Sequence, residues 1–193
     1  ENGIEDEALQ MWLLDWFNDL GECFSYHRQS IGEGESYQLL DPTWLTGAVY
    51  KIIRDCKADK DGSIAYETIR ETLHLKSDEV RYILNIMRKF LLSYSVDESR
   101  EFIPALIPSD MPDDFPVKGT PVLSYETEYR FLPDTVLYRL MVIYKDRNLL
   151  ESAYRGGLRI RGNGVTCTIS MRSDTNKLYI DLYTDETGTT ENN

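Results

Sequence analysis

The first half of the chain carries apolar residues at helical spacing. Residues 5–20 predict an amphipathic helix, because apolar side chains recur every three or four positions: Leu9, Trp12, Leu13, Trp16, Phe17 and Leu20. A second helix is predicted to run to about Asp55, since Asp41 is a favourable cap and Pro42 suits a first helical turn. Its apolar stripe consists of Trp44, Leu45, Ala48, Val49, Ile52 and Ile53.

Shorter elements follow the second helix. A short strand is predicted over residues 63–65, after a turn at Gly62, and a short helix from about Tyr66 to His74. Ser77 is the predicted cap of a longer helix, whose core face is Val80, Ile83, Leu84, Met87 and Phe90. The strings LLSYSV and EFIPALI flank DESR, which predicts a hairpin. This order of helices and strands predicts a winged-helix-like subdomain.

The second half alternates between apolar and polar residues, which is the pattern of strands. In LSYETEYRF, Leu123, Tyr125, Tyr129 and Phe131 fall on one face. A helix from about Asp134 to Lys145 precedes three strands in AYRGGLRIRG, VTCTISMR and KLYIDLYT, and residues 162–164, Gly-Asn-Gly, predict a hairpin. We expect an antiparallel sheet that packs on this helix through Leu158, Ile160, Val165, Cys167, Ile169, Leu178, Ile180 and Leu182.

A proline-rich segment and a change in charge separate the two halves. The string IPSDMPDDFPVKGTP, residues 107–121, contains four prolines and disfavours continuous helix or strand. The net charge is −12: residues 1–116 hold 23 acidic and 11 basic side chains, and residues 117–193 hold ten of each. We therefore predict an α+β chain with a helical subdomain over 1–107, a stiff linker over 108–121, and a sheet-and-helix subdomain over 122–193.

The composition, 41% hydrophobic and 28% charged, is that of a soluble globular protein. No apolar run approaches the roughly 18 residues that span a bilayer, and no secretory signal opens the chain. Cys23, Cys56 and Cys167 are odd in number and far apart, which favours a reducing compartment over a disulfide framework. We predict a cytoplasmic protein without a membrane segment, and the start without Met suggests a piece of a longer polypeptide.

The stretch DKDGSIAYE, residues 59–67, has the centre of a calcium-binding loop. With Gly62 at the sixth loop position, Asp59 and Asp61 fall at the third and fifth. However, Lys57 occupies the first position and Thr68 the twelfth, where carboxylates are required. We expect a polar turn without a metal ion, and a calcium-binding regulator stays as an alternative.

A winged helix also raises the alternative of nucleic-acid binding. Asp78 and Glu79 open the helix that would read DNA, and the subdomain is strongly acidic. Because phosphate binding depends on Lys and Arg, we expect no nucleic-acid partner. An acidic winged-helix module that binds other proteins is the remaining alternative.

No catalytic constellation stands out along the chain. It lacks both the phosphate loop G-x-x-x-x-G-K-[ST] and the G-x-S-x-G elbow. His27 and His74 are the only histidines, and neither has a Cys or acidic partner at ligand spacing. We predict that the segment is no enzyme, with no catalytic, cofactor-binding or metal-binding residues.

The polar face of the predicted sheet is rich in Arg and Tyr, which are enriched at protein interfaces. It is either an ordinary solvated face or a partner surface. Its residues are Arg155, Arg159, Arg161, Arg172, Tyr179 and Tyr183.

Several strings, in order and spacing, resemble the COR domain, which follows the Ras-like Roc GTPase in Roco proteins, the group that includes the leucine-rich-repeat kinases. They are DLGECFSY, LLDPTWLTGAVYKII, the turn at residues 62–64, YILNIMRKFLLSY and FIPALIP. RFLPDTVLYRLMVIY and AYRGGLRIRG resemble the second COR subdomain, so the likeness covers nearly the whole chain.

The resemblance implies a non-catalytic regulatory module. It implies that the first subdomain packs on the Roc GTPase domain of the same chain, which would hold GTP or GDP, and that the second supports a homodimer. The nucleotide state would then bias dimerisation and downstream output through the linker. The family's second subdomain extends further than this sequence, which predicts a truncated segment.

Overall fold

A computed structural model of the chain describes residues 42–172 and 174–184, together with Leu13 and Trp16. Leu13 and Trp16 are both helical, and the remainder of the helix predicted over residues 5–20 lies outside the described residues. The proposed cap Asp41 lies outside them as well.

Three helices and a small sheet form the first half of the described chain. The helices are α1 (Pro42–Asp55), α2 (Tyr66–Leu73) and α3 (Ser77–Lys89). The strands are β1 (Ser63–Ala65), β2 (Tyr94–Ser95) and β3 (Arg100–Phe102), in the antiparallel order β1-β3-β2. The helix limits, the strand over residues 63–65 and the hairpin around DESR agree with the sequence prediction. The strand predicted to continue through EFIPALI is wrong in its second half, because β3 ends at Phe102 and Pro104–Leu106 forms a 3-10 helix.

The helices pack through the predicted stripes, with corrections at helix margins and ends. Side chains at the core are Leu45, Ala48, Ile52, Ile69, Leu73, Val80, Ile83, Leu84 and Met87. Ile53 and Phe90, predicted to be buried, are exposed because Ile53 lies at the edge of the α1 stripe and Phe90 follows the last turn of α3. Ser77 is the first helical residue and not the cap; the Glu79 carboxylate accepts the Lys76 N–H at 2.8 Å.

The second half is a five-stranded antiparallel sheet with one helix. Its elements are β4 (Leu123–Glu128), α4 (Thr135–Asp146), β5 (Leu150–Tyr154), β6 (Gly157–Gly162), β7 (Val165–Arg172) and β8 (Lys177–Thr184). The strand order is β4-β8-β7-β6-β5. Mixed helices and antiparallel sheets confirm the α+β prediction.

The single strand predicted over AYRGGLRIRG is wrong: it is a hairpin, with a turn at Arg155-Gly156 between β5 and β6. Glycine fits there, because a Cβ on Gly156 would lie 2.8 Å from the Tyr154 ring and would displace it. The second hairpin agrees with its signal, since Asn163 and Gly164 both have positive φ, as a type I′ turn demands.

Helix α4 packs on the β5 and β6 end of one sheet face, through Leu137, Met141 and Val142. The sheet side chains in this core are Leu158, Ile169 and Met171, with Ile160, Cys167, Leu178 and Ile180 partly buried beside them. The predicted contacts of Val165 and Leu182 are wrong: Val165 is exposed and Leu182 lies outside the cluster, because both lie away from the covered end.

The core of the sheet half includes two fully buried residues from the first half, and Leu91 and Tyr94 pack beside it, partly buried. Phe102, at the end of β3, and Ile107 are both about 1% exposed and pack with Leu132, Leu137 and Met141. The Lys145 ammonium lies 5.2 Å from the centre of the Phe102 ring. The two halves therefore share one apolar cluster. Among the described residues, no helix has the length and apolarity to cross a bilayer.

Gly62 brings the acidic turn into this cluster. Its φ is +79°, and a Cβ there would lie 2.6 Å from Ile107 Cγ1 and 3.2 Å from the Phe102 ring. We expect Gly62→Ala to lower the free energy of unfolding by about 2–5 kcal/mol, because it combines left-handed backbone strain with overpacking. Urea denaturation measures this change.

Gly164→Ala is the matched control. Gly164 has a φ of +75°, but no atom lies within 4 Å of the position that a Cβ would take, so only the backbone cost of about 1–2 kcal/mol applies. Equal losses for the two variants would contradict the packing role of Gly62.

Candidate interaction surfaces

The carboxylates of the calcium-like turn are each held by a local partner. Asp59 forms an ion pair with Arg100 of β3. Asp61 accepts the Ser63 N–H at 3.0 Å and the Ser63 hydroxyl at 2.9 Å. The turn therefore connects α1 to β1 and is attached to β3 through the ion pair between Asp59 and Arg100. These contacts are those of a structural turn.

A shallow depression next to this turn contains a third carboxylate. It is lined by Asp59, Lys60, Asp61, Ser63, Val96, Asp97 and Arg100. Asp97 accepts the N–H and the hydroxyl of Ser99, at 2.7 and 2.8 Å. Within the described part of the chain, no three His, Cys, Asp or Glu side chains are arranged to hold a metal ion.

The electrostatics of Asp61 fit a stabilising turn. Partial burial raises its pKa, the hydrogen bonds from Ser63 lower it, and the net pKa lies below the ordinary value for aspartate. A lowered folded-state pKa means that the stabilisation is present above the unfolded-state pKa and is lost as the pH falls through the folded-state value.

Neither described cysteine is an activated nucleophile. Burial raises the pKa of the Cys56 thiol and of the Cys167 thiol above their ordinary value. A raised pKa disfavours the thiolate, which is the reactive form. These side chains act as small core residues.

The one fully buried carboxylate among the described residues is Glu101, and its oxygens are satisfied. Arg88 Nε donates to Glu101 Oε1 at 2.9 Å and Arg88 Nη2 donates to Oε2 at 2.5 Å. The Ser93 hydroxyl donates to Oε1 at 2.6 Å. This network ties α3 to β3 and gives each Glu101 oxygen at least one donor.

The Arg and Tyr residues predicted as an interface do not form one uniform surface. Tyr179, Tyr183, Arg159 and Arg161 project from the sheet face opposite α4, as the strand registers require, and Arg172 contacts Tyr179 on that face. Arg155 lies in the β5–β6 turn. Arg155, Arg161 and Arg172 are exposed, Tyr179 and Tyr183 are partly buried, and the Arg159 side chain is only 11% exposed.

Arg159 is covered because the segment 108–115 crosses this face. Its guanidinium donates to the backbone oxygens of Asp114 and Phe115, and its Nε donates to Glu151 at 2.8 Å. Phe115 is 5% exposed and packs edge-on against the Tyr154 ring, with centroids 4.8 Å apart. The Arg155 N–H donates to the Pro108 oxygen at 3.0 Å. Two anchor points therefore hold this segment on the sheet.

Sequence reasoning missed an apolar surface at the other end of the sheet. We call it the β4 strip; its residues are exposed by 45–77% and are Val122, Leu123, Tyr125, Tyr129 and Phe131. The alternation along LSYETEYRF placed four of these on one face. It carried no signal for whether another element covers that face, and α4 lies at the far end.

Removing Arg88 should expose the energetic role of the buried ion pair. We expect Arg88→Met to lower the free energy of unfolding by about 3–5 kcal/mol, because the Glu101 charge stays buried without its cation. Chemical denaturation measures the change, and the double variant Arg88→Met/Glu101→Gln should recover most of it.

The control is Arg100→Met, which removes the cation of the solvent-exposed pair with Asp59. Its cost should stay within about 1 kcal/mol, since exposed pairs contribute little. A loss from Arg88→Met as small as this would contradict the buried-pair assignment.

Comparison with known proteins now identifies the first half. The family model described as "C-terminal of Roc, COR-A domain" matches residues 1–108, more than half of the chain. A search of curated proteins finds no match. The matched range ends directly after Ile107, the last residue that the first half contributes to the shared cluster. The chain belongs to the COR-A family of Roco-protein domains.

Proposed function

We propose that this chain is a non-catalytic regulatory and dimerisation module of a Roco protein, docked on an adjacent Roc GTPase domain. In this proposal it couples the GTP or GDP state of that domain to dimerisation and downstream output, in the cytoplasm. The family match over residues 1–108 is the observation that carries the proposal. The local pairing of the carboxylates at Asp59, Asp61 and Asp97 favours a structural role for the acidic turn.

Three working units are proposed. A docking subdomain occupies residues 1–107, a connecting segment residues 108–121, and a sheet subdomain residues 122–193. The order of α1, β1, α2, α3, β2 and β3, with the sheet order β1-β3-β2, supports a winged-helix-like docking subdomain.

The shared cluster supports a mechanical relay between the units. Phe102 and Ile107 belong to the docking subdomain but are buried against Leu137 and Met141. A displacement of the docking subdomain would therefore move α4 and the sheet with it, because packed cores transmit displacement and resist compression. The Arg159 contacts to Asp114 and Phe115 carry the same displacement along the connecting segment.

The proposed dimer surface is the exposed part of the Arg and Tyr face. Arg161 and Arg172 are exposed there and Tyr179 and Tyr183 are partly exposed, and a side chain that presents a guanidinium or a phenol suits a protein interface. Arg159 has a different role in the proposal: it holds the connecting segment on the sheet.

The relay can be tested in the full-length parent protein, with dimer dissociation constants measured by sedimentation in GDP and in a GTP analogue. We expect Arg159→Ala to bring the ratio of the two constants toward one, because the connecting segment is no longer held. Arg161→Ala should weaken dimerisation about threefold to tenfold in both states and preserve the ratio.

These two arginines are a matched pair, since both lie on β6 and both contact Glu151, and the Arg159 guanidinium also donates to the backbone oxygens of Asp114 and Phe115. Dimerisation of the wild-type protein that ignores the nucleotide would overturn the proposed function. If Arg159→Ala leaves the ratio of the two dissociation constants unchanged, only the proposed transmission through the connecting segment is overturned.

The alternatives have separate outcomes. A nucleic-acid-binding winged helix would shift a DNA duplex on a gel at low salt, where phosphate contacts are strongest; we expect no shift, since α3 opens with Asp78 and Glu79. A calcium-binding regulator would raise its melting temperature in millimolar calcium; we expect no change, since Asp59 and Asp61 already have partners.

A further inference from the structure

We propose that β4 is a docking edge for an extended segment of another protein, which adds as a sixth strand and alternates apolar with basic residues. This site adjoins the dimer surface proposed above, because Glu126 lies opposite Tyr179 in the register of β4 and β8. It lies at the opposite end of the sheet from the covered strands β5 and β6, and it uses the β4 strip and the glutamates beside it.

The two ends of the sheet are covered very differently. At β5, one face packs against α4 and the other lies under Phe115, and the strand has a register shift between Leu150 and Ser152. At β4, pairing with β8 is regular from Leu123 to Glu128, and five of its six residues are exposed. A regular, uncovered edge strand is a template for another strand.

The backbone of β4 offers alternate residues to a partner. The Tyr129 N–H donates to the Asn176 oxygen at 2.9 Å, in continuation of the register that pairs Glu128 with Lys177. Because hydrogen-bonded positions alternate in an antiparallel pair, the N–H and C=O groups of Ser124, Glu126 and Glu128 point away from β8. These are the groups that a sixth strand would bond.

The two faces of this edge define the chemistry of the partner. On the α4 side, Leu123 (58% exposed), Tyr125 (55%) and Tyr129 (45%) form an apolar row. On the opposite side, Glu126 is paired with Lys177 at 2.6 Å, and Glu128 has no ion-pair partner among the described residues. A strand with apolar side chains on the first face and Lys or Arg on the second complements both.

A second copy of the chain complements this edge less well. Pairing β4 with its own copy would collect two Glu126 and two Glu128 side chains at one seam. Like charges opposite each other destabilise a strand pair. A strand with Lys or Arg on that face instead reduces the repulsion between Glu126 and Glu128. The charge of this edge therefore favours a basic strand of another protein over a second copy of the chain.

The test measures fluorescence anisotropy with the 193-residue chain and a labelled peptide that alternates valine and lysine. We expect binding of this peptide, about tenfold weaker binding of a peptide with the same composition but its lysines in one block, and no binding of a valine–glutamate peptide. The block peptide separates strand pairing from plain attraction to an acidic protein.

Two variants separate backbone pairing from charge. Glu126→Pro removes an outward N–H while leaving the bonds to β8 intact, and Glu126→Ala removes only the carboxylate. Both lose the pair with Lys177. We expect Glu126→Pro to weaken binding of the valine–lysine peptide about tenfold beyond Glu126→Ala.

Amide hydrogen exchange of the unsubstituted chain gives a second measurement, independent of the folding of any variant. The peptide should protect the amides of Ser124, Glu126 and Glu128. Absence of that protection, equal binding of the alternating and block peptides, or equal affinities of folded Glu126→Pro and Glu126→Ala would overturn the proposal. The proposal would also be overturned if the chain self-associates without peptide and Glu126→Pro abolishes that self-association. That result would identify a second copy of the chain as the strand that pairs with β4.

Discussion

The burial of Phe102 and Ile107 against α4 is the contact on which the rest of this structure depends. Phe102 ends β3 of the small sheet and Ile107 follows five residues later, and both side chains belong to the core of the second half. Leu91 and Tyr94 of the first half pack beside them, so this core joins the two halves. Gly62 reaches the same cluster, which explains why an acidic, solvent-facing turn has a tightly constrained backbone.

Local structure was largely predictable from the sequence, because its causes are local. The start of α1 follows from Pro42, the extent of α1 and α4 from apolar spacing, and the turn at Asn163-Gly164 from residues that accept a positive φ. The prediction of strand limits failed where the alternation of apolar and polar residues continues unbroken through a turn. The β5–β6 turn lies within one alternating run, since Arg155-Gly156 occupies two positions and preserves the period of two.

The surfaces were less predictable, because coverage is a tertiary property. Arg159 and Arg161 have the same residue type, strand and face, but only Arg159 lies under the segment 108–115. Tyr125 and Ile160 lie on the same face of the sheet, and only Ile160 packs beside α4. Alternation identifies the face on which a side chain lies, and the path of distant segments decides whether that face meets water.

The two anchor points of the segment 108–115 divide the connection between the halves into unequal parts. From Pro108 to Phe115 the backbone is attached to the sheet at both ends, so its length is set by the distance that it must cover. From there to β4 the chain is mostly exposed, and Gly119 has nothing within 4 Å of its missing Cβ. Natural insertions and deletions among relatives should therefore accumulate after Phe115, where extra residues would loop into solvent at little cost.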